Sequence, residues 1–212
     1  MKDFPVFTTQ FGVASIVLSQ IPYTGCAYVT IRDSVQPLAL LKECADFCYA
    51  VGAASVFATG HTCLEIYPLH TKIILMRSSR ERLDKTDAVL IPVQNEMLEQ
   101  FREIYNGAMK NVANAAYMTI TDSEKILSES NGYFVYRDRE LLGIGIAGGE
   151  RIDAIVSVVP GSGQDVLRAL NCALSGSWIE VEVASTNLRA IRLYEKMGFV
   201  QCEELSKWYK II

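Results

Sequence analysis

Hydrophobic positions recur along the chain with a period of two in some segments and about 3.6 in others, which is typical of alternating strands and helices. In residues 88–212 this pattern predicts one short strand, two helices, three strands, a helix, a strand, a helix and a final strand. The three consecutive strands are joined by short turns such as Asp138-Arg139, so they form an antiparallel meander. The later strands are separated by helices and need crossover connections. The pattern therefore predicts an α/β protein with a mixed sheet and helices on both faces.

The first 85 residues predict an additional, smaller α/β unit that consists of a hairpin, a helix and two further strands. Its helix is predicted from Pro37 to Val51, with Ser34 as the N-cap. The order of its elements echoes the C-terminal pattern, so the unit is a candidate partial copy of the second domain. A polar stretch from Ser78 to Thr86 separates the two parts, and we place the domains at residues 1–85 and 86–212.

Composition and charge exclude several classes of protein. The chain has 212 residues and a formal net charge of -4, and its basic segment from Arg77 to Lys85 also contains acidic residues, so we expect no nucleic-acid partner. We expect no membrane span, because no run approaches about 18 apolar residues. The N-terminus MKDFPVFTTQ has no apolar signal-peptide core, which favours a cytoplasmic protein.

The six cysteines lack the spacing of a zinc site, and we expect free thiols in a reducing compartment and no bound metal. Cys44 and Cys48 lie four residues apart on the predicted helix, so a metal or redox pair is the alternative interpretation there. His61 and His70 have no partner at a spacing that indicates catalysis, and we assign them no chemistry.

The most specific motif lies between Val181 and Phe199, where a strand is followed by Asn187 and by the spacing A-x-x-L-Y-x-x-x-G-F. This motif resembles the GNAT superfamily of acyl-CoA-dependent N-acyltransferases, and the predicted element order of the second domain is similar to that of the family. The resemblance implies a GNAT-like fold, acetyl-CoA as co-substrate and direct transfer of its acetyl group to a primary amine. The acceptor would be a small molecule or a peptide, and the acidic chain mildly favours a cationic amine.

The resemblance also implies a cofactor slot. In the family the central strand, here Ile152 to Val159, splays from its parallel neighbour, and the pantetheine arm pairs with its free backbone. The pyrophosphate lies on backbone amides where the next helix begins. We therefore predict cofactor contacts at Ser157, Val158, Val159, Gly161, Ser162, Gly163, Gln164, Asp165, Asn187 and Ala190.

The phosphate loop departs from the family pattern, because Pro160 runs straight into Gly161 without the preceding Arg or Gln. Fewer amides can then reach the phosphates, and proline has none to offer. Arg168 and Arg192 are candidate compensating cations.

Two residues carry the predicted chemistry. Tyr194 matches the family tyrosine, whose phenol protonates the departing thiolate of coenzyme A. Glu182 lies five residues before Asn187, which is the family's spacing for a general base, and Glu180 on the same strand face is a weaker candidate. Both residues also have a structural interpretation, Tyr194 as part of a packing stripe and Glu182 as a surface residue. The structural interpretation of Asn187 is a helix N-cap.

A catalytically degenerate GNAT-fold module that binds or senses a ligand is the competing functional hypothesis. It would account for both the short phosphate loop and the additional N-terminal unit. Two roles are open for that unit: it shapes the acceptor side of the slot, or it supplies the surface of a homodimer.

Overall fold

The computed structural model describes residues 5–83 and 85–211, so the predicted linker residue Asp84 and the last residue of the predicted final strand, Ile212, lie outside it. The strands are β1 Val6–Thr9, β2 Gly12–Val17, β3 Cys26–Ser34, β4 Ser55–Thr59, β5 Leu69–Ser79, β6 Val89–Pro92, β7 Gly132–Arg137, β8 Glu140–Gly148, β9 Arg151–Ser157, β10 Trp178–Ala184 and β11 Val200–Ile211. The helices are α1 Ile21–Thr24, α2 Pro37–Ala50, α3 Leu98–Met109, α4 Ile120–Glu129, α5 Gly163–Leu170 and α6 Leu188–Lys196. The predicted α/β class with a mixed sheet is confirmed.

The chain forms two compact units. Unit 1 contains the residues up to Ile73 together with those from Glu204 onward, and unit 2 contains Ile74–Glu203. The chain passes between the units inside β5 and again inside β11, whereas the sequence placed the domain boundary after residue 85 and assigned the last strand to the second domain.

Unit 2 consists of a sheet between two layers of helices. Its strand order is β6-β7-β8-β9-β10-β5, antiparallel from β6 to β9 and parallel between β9 and β10. Neighbouring residues of a strand face opposite sides: Phe134 packs in the cluster that includes α3 and α4, and Val135 packs in the cluster that includes α5 and α6. This alternation explains why the strands are apolar on both faces.

Unit 1 repeats the topology of the middle of unit 2. Strands β2 and β3 are antiparallel, and the chain returns through α2 to β4, which lies parallel to β3. In unit 2 the elements β8, β9, α5 and β10 have the same order and directions. This match is what the predicted partial copy requires. The parallel pair in unit 1 is joined along the whole of β4, from Cys26 opposite Ser55 to Thr30 opposite Thr59.

The two cysteines of α2 are packing residues in unit 1. Cys44 and Cys48 are fully buried in its core. Burial raises the pKa of the Cys44 thiol to about 12 and that of Cys48 to about 11, so both stay protonated and unreactive at neutral pH. Within residues 5–83 and 85–211, no cluster of three or more His, Cys, Asp or Glu residues could hold a metal ion. In those same ranges no helix combines the length and apolarity that crossing a bilayer requires.

Two predicted helix caps are wrong, although α2 does begin at its predicted first residue, Pro37. The helix α2 begins after Gln36, and the Ser34 hydroxyl instead donates to the carbonyl of Phe11 at 2.6 Å. For α4 the sequence predicts a start at Thr121, with Thr121 or Asp122 as the cap. The helix instead begins after Thr119, because Thr119 and Asp122 form a reciprocal capping box. In both helices, a polar side chain near the start forms a hydrogen bond to a backbone group that the local sequence pattern does not reveal.

The strand β9 ends at Ser157, two residues before its predicted end at Val159. The chain turns at Val159-Pro160-Gly161-Ser162, where the Ser162 N–H donates to the Val159 carbonyl at 3.2 Å. A type II turn favours proline in its second position and needs a residue with positive φ in its third. Here these positions hold Pro160 and Gly161, and the φ of Gly161 is 89°. The Pro160-Gly161 pair therefore makes a tight strand-to-helix turn.

Candidate functional site

A cleft opens in unit 2 where β9 and β10 separate. These parallel strands are paired only at Glu180 opposite Arg151 and Val181 opposite Ile152. The pairing stops there, and a cleft with a volume of about 340 Å³ lies between the rest of β9 and the helix α6 that follows β10. Its described lining residues come from four segments: Ala108, Met109 and Val112; Ile155, Val156 and Ser157; Gly161, Gly163 and Gln164; and Asn187, Arg189, Ala190, Leu193 and Tyr194.

The strand β9 presents unpaired backbone to this cleft. The N–H groups of Val158 and Val159 both donate to the carbonyl of Leu142, at 2.9 and 3.4 Å, so they point towards β8. Because backbone direction alternates along a strand, the N–H and C=O groups of Ile155 and Ser157 point the other way, into the opening. Ser157 therefore borders the cleft at its predicted position. Ile155 also borders the cleft, although it was not among the predicted contacts. The amides of Val158 and Val159 are not free for a ligand, because they bond to Leu142.

The N-terminus of α5 forms one wall of the cleft. Gly161, Gly163 and Gln164 line it. A Cβ on Gly163 would lie 3.1 Å from both Leu193 Cδ2 and Ser157 Oγ, so glycine lets the start of α5 pack closely against α6 and β9. The first turn of a helix carries unpaired N–H groups and the positive end of the helix dipole, which together favour an anion.

Two residues predicted in this turn have other partners. Ser162 is buried, and its hydroxyl lies 2.8 Å from the carbonyl oxygens of both Leu142 and Val159. Asp165 forms ion pairs with Arg137, at 2.8 Å, and Arg168, at 3.7 Å. Neither Ser162 nor Asp165 is among the lining residues, so both anchor the turn from behind. Arg168, a candidate compensating cation, is engaged there as well.

The helix α6 forms the opposite wall, and Asn187 begins it. The Asn187 carboxamide oxygen accepts a hydrogen bond from the Ala190 N–H at 3.2 Å, which confirms the predicted N-cap. Arg189, in the first turn, is the one charged side chain among the described lining residues, and it has no ion pair with a described residue. Arg168 and Arg192 were the predicted cations, and Arg189 was not among them, although its position two residues after Asn187 is visible in the motif.

Tyr194 lies deep in the cleft wall. Its side chain is buried against Phe199, with ring centroids 5.6 Å apart, and it lines the cleft. Burial raises the pKa of Tyr194 to about 12, so the phenol keeps its proton at neutral pH. Its hydroxyl has no hydrogen bond to a described residue and can donate to a ligand.

The predicted carboxylates lie outside the cleft lining. The Arg151 guanidinium binds Glu182 at 2.9 Å and also Asp153 at 2.7 Å. Glu180 forms an ion pair with Arg77. The structure thus brings Tyr194, Asn187, Ala190, Ser157 and the α5 turn together, and it places Glu182 in a separate ion-pair cluster on the flanking strands.

Solved structures with a similar fold include GNAT proteins. A conserved protein of unknown function from Staphylococcus epidermidis matches with a TM-score of 0.62 at 12% identity, over 98% of this chain and 93% of that one. A tandem GNAT protein from the clavulanic acid biosynthesis pathway matches with a TM-score of 0.54 at 12% identity, over 94% and 78% of the two chains. A GNAT-family acetyltransferase from Colwellia psychrerythraea matches with a TM-score of 0.54 at 11% identity, over 98% and 84%.

No protein-family model and no curated protein sequence matches this chain. At identities of 11–12% the similarity concerns the fold. The predicted GNAT-like fold is confirmed.

Proposed function

We propose that the protein is an N-acyltransferase that moves the acetyl group of acetyl-CoA directly to a primary amine. The observation that carries the proposal is the convergence of four features on one cleft: the unpaired backbone of β9, the α5 N-terminus, the Arg189 cation and the protonated Tyr194 phenol. An acyl-CoA has the complementary features, namely an amide-bearing arm, a diphosphate and a thioester. No metal is required for this chemistry.

The cofactor arm would pair with the backbone of Ile155 and Ser157 as an additional strand. Backbone pairing demands no particular side chain, which fits the apolar sequence of β9. The diphosphate would lie on the amides of Gly163 and Gln164, with Arg189 across the cleft. In this arrangement Arg189 offsets the phosphate loop that lacks the family's Arg or Gln.

The transfer itself would be a single displacement. The amine nitrogen attacks the thioester carbonyl, the C–N bond forms, and the C–S bond breaks as the thiolate leaves. Tyr194 donates its proton towards that sulfur, because a thiolate whose thiol has a pKa near 8.5 leaves more easily when it is hydrogen-bonded by an acid. We retain Glu182 as the proposed general base, acting on the amine through water from its ion pair with Arg151.

Calorimetric titration of acetyl-CoA into the protein tests the binding half of this proposal. Wild-type protein is expected to bind acetyl-CoA, and Arg189→Gln is expected to bind it about five- to tenfold more weakly, because one charge-assisted contact is lost. The difference should shrink as salt is added, since the side chain is solvent-exposed.

Arg192→Gln is the matched control, because Arg192 lies on the same helix but not in the cleft lining. Its affinity should equal that of the wild type. No heat with wild-type protein at millimolar acetyl-CoA would contradict the proposal and favour the degenerate-module alternative.

A further inference from the structure

The cleft of unit 2 is lined from both faces of the sheet. Ile155 and Val156 of β9 both line it, and neighbouring residues of a strand face opposite sides. Ile155 packs against the cluster that includes α5 and α6, whereas Val156 belongs to the cluster that includes α3 and α4. Met109, at the end of α3, packs against that second cluster and also lines the cleft. The opening therefore passes from the α5–α6 face of the sheet to the α3 face.

The two sides of the cleft differ in their chemistry. All the polar side chains among its described lining residues belong to β9, to α5, or to α6 and its cap, namely Ser157, Gln164, Asn187, Arg189 and Tyr194. The α3 side contributes Ala108, Met109 and Val112, whose side chains neither donate nor accept hydrogen bonds. We refer to these three residues as the apolar wall.

The backbone of the apolar wall is also engaged. The Val112 N–H donates to the Met109 carbonyl at 2.9 Å, and the Val112 carbonyl accepts from the Ala115 N–H at 3.1 Å. The side chains of Met109 and Val112 are half-buried, so a part of each can still be covered by a ligand. A ligand on this side is therefore held by apolar contact. A charged group placed there would lose its water and gain no partner.

The proposed reaction determines which ligand meets the apolar wall. The diphosphate and the arm of acyl-CoA would occupy the polar side of the cleft, and the thioester would lie at Tyr194. The amine has to reach the thioester carbonyl from the side that the cofactor leaves free, which is the α3 side. Because an acetyl group is small, most of the apolar wall is left for the body of the acceptor.

We propose that the acceptor is a primary amine on an apolar chain or ring, and that Met109 and Val112 select it. Each methylene buried against the apolar wall improves the acceptor about three- to fourfold. A second ammonium group at the far end of the chain is rejected, since the described lining residues include no carboxylate to pair with it. This inference rests on the proposed function, because it takes the cleft as the site of acyl transfer.

A series of alkylamines tests the substrate class. With acetyl-CoA as the donor, kcat/KM of the wild-type protein should rise about three- to fourfold for each methylene from propylamine to hexylamine. The gain should appear in KM, because contacts with the unreactive chain are the same before and during transfer. The compound 1,5-diaminopentane has the length of hexylamine with an ammonium in place of the terminal methyl, and its kcat/KM should be at least about tenfold lower.

The variant Met109→Gln tests the apolar wall itself. Glutamine has nearly the length of methionine and a similar helix propensity, so α3 should persist while the wall becomes polar. The gain per methylene should fall to about twofold or less, whereas acetyl-CoA affinity and kcat/KM for propylamine should stay within about twofold of the wild type. Val112→Thr keeps the shape of valine, adds a hydroxyl and should lower the gain in the same direction.

Met97→Gln is the matched control. Met97 is half-buried against the same cluster as Met109 but is not among the described lining residues of the cleft. The same substitution at this position should leave the gain per methylene at its wild-type value. An equal loss in Met97→Gln and Met109→Gln would overturn the proposal, since it indicates a general effect on the cluster.

The proposal is also overturned if wild-type kcat/KM does not rise with the length of the amine, or if Met109→Gln and Val112→Thr both keep the wild-type gain. Faster turnover of hexanoyl-CoA than of acetyl-CoA, without an effect of amine length, would assign the apolar wall to the acyl group instead. A wild type that acetylates no amine contradicts the proposed function, and with it this inference. One that acetylates the whole series equally, or prefers 1,5-diaminopentane, contradicts this inference alone.

Discussion

Replacing Tyr194 with phenylalanine is expected to slow acetyl transfer by about 100-fold or more, because the thiolate would leave without an acid beside it. The substituted phenyl ring would keep the packing against Phe199, so the fold and the cleft should persist. The measurement is the rate of thiol release from acetyl-CoA at saturating amine. Because burial raises the pKa of Tyr194 to about 12, this acid stays protonated in neutral and mildly alkaline buffers, and its ionisation should not lower the wild-type rate there.

Acetyl-CoA affinity separates a chemical role of Tyr194 from a structural one. Tyr194→Phe should bind acetyl-CoA within about threefold of the wild type, since only one hydrogen bond to the ligand is removed. Loss of binding together with turnover would make Tyr194 structural. Glu182→Gln is expected to lower the rate less than Tyr194→Phe, because Glu182 acts through water and is held by Arg151.

A Gly143→Ala substitution is expected to lower the free energy of unfolding by about 1–3 kcal/mol, the usual cost of overpacking. A Cβ at position 143 would lie 2.1 Å from the Val156 carbonyl oxygen and 2.8 Å from Val166 Cγ2. The first of these atoms is backbone and cannot rotate away, so β8 and β9 must move apart. Chemical denaturation of both proteins measures the difference.

Gly107→Ala is the control for this substitution. Gly107 lies in α3, and a Cβ there would meet no atom within 4 Å. Alanine at that position should raise the free energy of unfolding by about 0.5–1 kcal/mol, because glycine is unfavourable inside a helix. A Gly143→Ala protein as stable as the wild type would show that the two strands can separate at no cost.

The sequence predicted best where a segment has strong periodicity and local signals. In β10, Trp178–Ala184, apolar and polar residues alternate from Ile179 to Val183, and the sequence predicts a strand over these same seven residues. Asn187 was identified as the cap of α6 because a cap needs only a short side chain before a helical stripe. The final strand was predicted only from Lys207 onward, whereas β11 begins at Val200, because its first half is exposed.

The details of the cleft depend on contacts between distant residues, and the local pattern does not contain them. The apolar run through Val158 and Val159 continues the period of β9, but their amides bind Leu142 on β8. The position of Arg189 in the cleft follows from the direction in which α6 leaves β10. The pairing of Glu182 with Arg151 joins two strands that are neighbours only in the folded protein.

Amine-dependent release of the coenzyme A thiol is the direct test of acyl transfer by this protein. Acetyl-CoA would be incubated with the protein and a panel of primary amines, with the thiol measured by a colorimetric reagent and the N-acetylated product by mass spectrometry. At least one amine should yield equal amounts of free thiol and acetylated amine, and Tyr194→Phe should suppress both. Binding of acetyl-CoA with no thiol release for any amine would contradict acyl transfer and leave a ligand-binding module.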